Sequence, residues 1–180
     1  MKATFYPIDD IKPLKLTDLG KLRRVRGTCF SQRLPKWISE QMVEGCRSIL
    51  EDYCDVEIVT QRTTGDSRGA GLSLVAEYDN GLLGSNVLTT RGRPADQAGI
   101  DAANDLVQII DSGATLDVHT ADQLLPYMAM ADGDSAFSVS RISRHLLSQM
   151  DTLETFLDVR FGVERKGDLY HFTITPGGRK

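Results

Sequence analysis

Residues 116–161 read LDVHTADQLLPYMAMADGDSAFSVSRISRHLLSQMDTLETFLDVRF. A polar cluster, His119-Thr120-Ala121-Asp122-Gln123, leads into an apolar run at 124–131 that predicts a helix. A short strand follows, then a second helix whose first turn holds His145. Ile142, Leu146, Met150 and Leu153 recur at helical spacing and mark its expected buried stripe. Beyond it, 159–164 and 170–175 suit a β-hairpin closed by the turn sequence Lys166-Gly167-Asp168. Helix, strand, helix and hairpin in one run predict a mixed α+β unit.

Upstream, 22–30 suits a strand and Pro35 opens a helix to about 52, with Ile38, Met42, Cys46 and Ile49 as its stripe. Alternation predicts a half-buried strand at 56–61. The loop 63–71 is rich in glycine and hydroxyls but lacks the Gly-Lys-Ser/Thr of a phosphate loop, which favours a flexible connection. Leu72, Leu74, Ala76 and Tyr78 alternate along a strand, and Asp79-Asn80-Gly81 predicts a hairpin in which Asn and Gly accept positive φ. The return strand is 83–89. A helix begins after Pro94, buries Ala98, Ala102, Leu106 and Ile109, and stops at Gly113. Residues 17–112 therefore form a closed run of amphipathic elements, large enough to fold as a domain inserted between 1–16 and 113–180.

At the start, 2–6 suits a strand, 8–16 a connector punctuated by Pro13, and 176–180 a loose tail. The 41% hydrophobic and 26% charged residues are those of an ordinary globular protein. A net charge of -4 argues against a generally basic nucleic-acid-binding surface but leaves room for a local basic face. Arg23, Arg24 and Arg26 are the candidates for one; a solvated sheet face is the commoner meaning of such a run. No apolar run approaches the ~20 residues that cross a bilayer. Cys29, Cys46 and Cys54 lack CxxC spacing and suit reduced thiols in a cytoplasmic protein.

The chemistry concentrates at His145. Ser138, Ser140 and Ser143 precede its helix and offer hydroxyls to the free N–H groups there. Those N–H groups and the helix dipole favour anions such as phosphate and a neutral imidazole, which can attack phosphorus. A partly exposed histidine without a role is the competing meaning of the same pattern. Asp122 suits a cap for the helix after it, or, with Gln123, a partner for a ribose or a phosphate-bound metal. His119 suits base stacking or ordinary surface.

The segments 118–130, 143–149 (Ser-Arg-His-Leu-Leu-Ser-Gln) and 156–161 together resemble the C-terminal region of the RNA 3'-terminal phosphate cyclases. Arg24-Val-Arg-Gly27, 71–77 and Arg91-Gly-Arg-Pro-Ala95 more weakly resemble that family's inserted domain. The resemblance implies the C-terminal part of a catalytic domain built from repeated α/β units (1–16 and 113–180), interrupted by a compact α+β insert (17–112). It implies that His145 is the residue adenylylated by ATP, and that His119, Thr120, Ala121, Asp122 and Gln123 line the ATP pocket. The implied reaction passes AMP to an RNA 3'-phosphate, and the adjacent 2'-OH then closes a 2',3'-cyclic phosphate; magnesium or manganese accompanies the nucleotide. Family members begin with a long N-terminal half that carries a Gly-Gly-Gly-Gln segment. The resemblance thus implies a fragment or one half of a split enzyme, with that half as partner. Two other readings stand beside it: a non-catalytic cyclase-like scaffold in ribosome assembly, whose kind lacks the histidine, and an RNA-binding module resting on the arginines.

Overall fold

The computed structural model describes residues 3, 4, 6 and 10–177. The strand expected at 2–6 lies partly outside them; Ala3, Thr4 and Tyr6 are described and are not in a strand. The last three residues of the expected loose tail also lie outside. By packing, the chain divides into two compact units, Asp18–Asp117 and the pair Met1–Thr17 with Val118–Lys180.

The first unit runs β1 (Leu22–Gln32), α1 (Lys36–Leu50), β2 (Val56–Thr63), β3 (Gly69–Tyr78), β4 (Leu82–Leu88) and α2 (Ala95–Ser112). Its sheet has the order β2-β1-β3-β4. β1 and β2 are parallel, so their connection needs a crossover, and α1 supplies it. The β1–β3 and β3–β4 pairs are antiparallel. Val25 and Cys29, with Leu72, Leu74, Ala76 and Leu83, share one sheet face and are buried. Met42 and Cys46 of α1 and Ala98, Ala102 and Leu106 of α2 are buried with them. Ile38 and Ile49 of the expected stripe are only half-buried; Ser39, Gly45 and Leu50 are buried instead, so the inward face is turned from the apolar spacing. The reason is the neighbour. α1 presents small residues to α2, because an added Cβ at Gly45 would strike the backbone of Asp96, and one at Gly99 the carbonyl of Met42. Burial pushes the thiol of Cys29 up to about 11 and that of Cys46 to about 12, and all three cysteines are free.

Three loops differ from expectation. The glycine-rich loop shrinks to 64–68, because Gln32 pairs with both Thr63 and Gly69 and draws the flanks into the sheet. The Asp79-Asn80-Gly81 turn does not use positive φ. A three-residue connection does not need the mirror-image turn; Asp79 and Asn80 instead donate N–H bonds to the carbonyls of Lys21 and Leu19. The packed unit runs on past Gly113 to Asp117. Gly113 does end α2 with φ 71, but Ala114 to Asp117 are buried, and the Asp117 carboxylate accepts the N–H of Gly84 at 3.1 Å.

The arginines of β1 resolve into ion pairs. Arg23 bonds Asp79. Arg24 reaches Glu77 at 2.7 Å and Glu57 at 3.6 Å, and Arg26 reaches Glu77 at 3.1 Å. Each positive charge already has a carboxylate, so the phosphate-facing reading of this run is corrected in favour of a solvated, charge-paired face. The Arg24 bond, with help from Arg26, holds the Glu77 carboxyl below its ordinary value. The Lys21 N–H and then Arg23 do the same for Asp79.

The second unit holds α3 (Val118–Ala129), β5 (Ser135–Val139), α4 (Arg144–Phe156), β6 (Val159–Lys166) and β7 (Leu169–Pro176). Its antiparallel sheet has the order β5-β7-β6, with Gly167 at φ 60 in the two-residue turn of the hairpin. The rings of Phe137 and Phe172 stack at 4.9 Å across β5 and β7. The stretch read as a connector instead docks on the open edge of β5. Leu16 donates to Ala136, Ala136 donates to Leu14, and Lys15 pairs with Ala136 in parallel. An unpaired strand edge offers such donors and acceptors. α3 begins at Val118, not after Gln123. Val118, Ala121, Asp122, Leu125, Met128 and Ala129 make one buried face at helical spacing, so the polar cluster is the first half of the helix. On α4 only Leu146 of the expected stripe is buried.

Two measurements check this account. Gly99→Ala is expected to destabilise the first unit by about 1–3 kcal/mol through overpacking, while Gly69→Ala, where an added Cβ meets nothing within 4 Å, stays within about 0.5 kcal/mol of wild type; urea midpoints decide. The second concerns acid. A carboxylate whose folded value is depressed adds stability above its unfolded value and loses it as the pH falls through the folded one. Glu77→Gln is therefore expected to lose less stability than wild type between about pH 5 and pH 3, and parallel curves would remove the role given to Glu77.

Candidate functional site

The chemistry predicted for 116–161 gathers at the starts of α3 and α4. Ser143 is the N-cap of α4, in extended backbone, and its Oγ accepts the N–H of Leu146 at 2.8 Å. This is the ordinary device for satisfying a first-turn donor. Of the three serines expected near this helix, Ser143 alone is the cap; Ser138 lies in β5 and Ser140 in the bend that follows. Arg144 and His145 are the first two helical residues, and both are exposed. Their N–H groups lie ahead of any intrahelical acceptor and, with the helix dipole, form an anion-favouring end. His145 therefore stands in the first turn, beside the N–H groups best placed to meet a phosphate.

The five residues of the polar cluster separate by exposure along α3. His119 and Gln123 are exposed, Thr120 is half-buried, and Ala121 and Asp122 are buried. Because α3 starts at Val118, Asp122 lies a full turn inside and does not cap the helix; that expectation is corrected. Its Oδ1 instead accepts the hydroxyl of Ser143 at 2.6 Å. Asp122 and the His145 helix are thus joined through the cap residue. No sequence signal pairs residues 21 positions apart on different helices. The signal for the α3 boundary was present, since Val118, Ala121 and Leu125 already keep helical spacing. Pro126 sits inside α3 and has no N–H to give the carbonyl of Asp122.

Among the described residues, no three His, Cys, Asp or Glu side chains are grouped to hold a metal ion. No helix among them is long and apolar enough to cross a membrane. His171, the third histidine, lies on β7, paired with Ser138 and Glu164.

The model of the RNA 3'-terminal phosphate cyclase insert domain matches residues 17–111, nearly the span of the first unit. The RNA 3'-terminal phosphate cyclase of Methanopyrus kandleri is 34% identical over 99% of this chain and 53% of its own length. That of Pyrobaculum neutrophilum is 32% identical over 96% of this chain and 50% of its own length. That of Nitrosospira multiformis is 32% identical over 94% of this chain and 49% of its own length. The chain spans about half the length of the curated relatives it matches. With an insert match over more than half of its residues and relatives aligned along almost all of it, the chain belongs to the RNA 3'-terminal phosphate cyclase family.

Proposed function

We propose that this chain supplies the nucleotide-accepting end of an ATP-dependent RNA 3'-terminal phosphate cyclase. The observation that carries the reading is the exposed His145 in the capped first turn of α4. The Nε2 or Nδ1 lone pair of a neutral imidazole attacks the α-phosphorus of ATP. A P–N bond forms, the bond to the bridging oxygen breaks, and pyrophosphate leaves. An oxygen of the RNA 3'-phosphate then attacks the same phosphorus, breaking the P–N bond and returning the imidazole. The 3'-phosphate becomes an anhydride to AMP, a far better electrophile than a phosphomonoester dianion. The adjacent 2'-OH attacks it, loses its proton, expels AMP and closes the 2',3'-cyclic phosphate. Magnesium or manganese on the triphosphate offsets developing charge.

His119, Thr120, Ala121, Asp122 and Gln123 form the nucleotide side of the site. The exposed His119 and Gln123 are the members that touch ATP, with His119 toward the base. The half of the family's length that this chain does not span is the proposed partner. Supporting that, α3 and α4 leave large apolar side chains uncovered, with Tyr127 at 55%, Leu147 at 50% and Phe156 at 81% exposure. The scaffold reading is disfavoured by His145 itself.

Incubation with α-labelled ATP and magnesium or manganese is the test. The chain alone is expected to label weakly or not at all. Completed with an N-terminal half, it should label on His145, as located by peptide mapping. His145→Asn should abolish labelling and cyclisation without unfolding the chain, since the side chain is exposed. His119→Asn should weaken ATP binding and keep the covalent step. Label recovered on any other residue overturns the assignment.

A further inference from the structure

We infer that Asp122 is a positioning residue, which sets the approach of His145 through Ser143 and does not itself bind the nucleotide; the inference rests on the reading of His145 just given. The Asp122 side chain is buried, with the residue only 6% exposed, on the same face of α3 as Ala121 and Leu125. Little of its surface is left for a ligand. Its Oδ1 lies 2.6 Å from Ser143 Oγ, within the range of a charge-assisted O–H···O⁻ bond. A serine hydroxyl has one proton. Given to Asp122, it leaves the oxygen's lone pairs to accept the Leu146 N–H at 2.8 Å. The direction of the relay is therefore fixed: Leu146 N–H to Ser143 O–H to the Asp122 carboxylate.

An isolated cap serine has three staggered rotamers to choose among. The buried carboxylate selects the one that caps α4, and polarising the hydroxyl makes its oxygen a stronger acceptor. Leu146, the donor in this relay, is also the buried residue of α4. His145 thus lies between two anchored neighbours, Ser143 by its hydroxyl and Leu146 by its side chain and N–H. A nucleophile displaced by a fraction of an ångström loses in-line alignment with phosphorus, so the cost of breaking the relay falls on the chemical step and not on ATP affinity.

The test has two arms. In the chain alone, amide exchange and imidazole resonances are followed by NMR. Asp122→Ala and Ser143→Ala should each speed exchange at Leu146 by about fivefold or more and shift the His145 ring signals. The double variant should do no more than the larger single change, because both break one relay. Asp122→Asn, whose Oδ1 still accepts the hydroxyl, should restore both signals. In the protein completed with an N-terminal half, Asp122→Ala should slow adenylylation by about tenfold or more while the KM for ATP moves by less than about threefold. Gln123→Ala should do the reverse. A raised KM with unchanged Leu146 exchange and His145 signals would make Asp122 a nucleotide ligand and overturn the inference, as would additive effects of the two alanines. A wild-type protein that never labels removes the adenylylation reading, and the NMR arm still decides whether Asp122 holds His145 in place.

Discussion

Backbone closeness between α1 and α2 is the constraint on which the larger unit depends. Two glycines permit it: at Gly45 and at Gly99 any side chain would occupy space already filled by the other helix's main chain. Helices usually meet through interleaved side chains at 8–10 Å. Here the backbones themselves touch, and the alanines of α2, Ala98, Ala102 and Ala103, keep the rest of the seam thin. The pair then lies on one sheet face and buries Leu72, Leu74 and Cys29. The other face is left to charge-paired arginines and to exposed Phe30, Val59 and Leu88.

The second unit has no such seam. Its sheet is closed by the Phe137–Phe172 stack and by the pairing of residues 14–16 with the edge of β5. Its helices are less covered, and α4 in particular buries only Leu146. A helix held by so little apolar area needs a polar fixing at its start. The Ser143 cap, itself gripped by a buried carboxylate, provides one at the turn where His145 stands. On the reading proposed for His145, the groups that steady α4 are also those that set its imidazole in place.

Charge tells a similar story in the first unit. Three arginines within four residues of β1 invite a phosphate, yet the adjacent strands present Glu57 and Glu77 to them, and the β3–β4 turn presents Asp79. The Arg24 bond holds Glu77 below its ordinary titration, and the Lys21 N–H followed by Arg23 does so for Asp79. These pairs are exposed and individually worth little to stability. What they do decide is chemical: the face is spent on itself.

Local features were legible in the sequence. The strand–helix alternation of the insert, the Gly113 stop, the hairpin about Gly167 and the helix that opens just before His145 each follow from periodicity, caps or turn residues. These signals act within a few residues, where backbone sterics and short-range hydrogen bonds govern. Tertiary structure alone decided the rest. Periodicity says which face is buried but not against what, so the turn of α1 toward Gly99 was invisible, as was the strand-like docking of residues 14–16. The start of α3 was legible in the helical spacing of Val118, Ala121 and Leu125, but the burial of the polar Asp122 among them was not. The Asp122–Ser143 bond and the arginine pairs join residues far apart in the chain, and no period or spacing encodes them. They exist because the fold brings the groups within reach; for the buried Asp122 an unpaired carboxylate would also be costly.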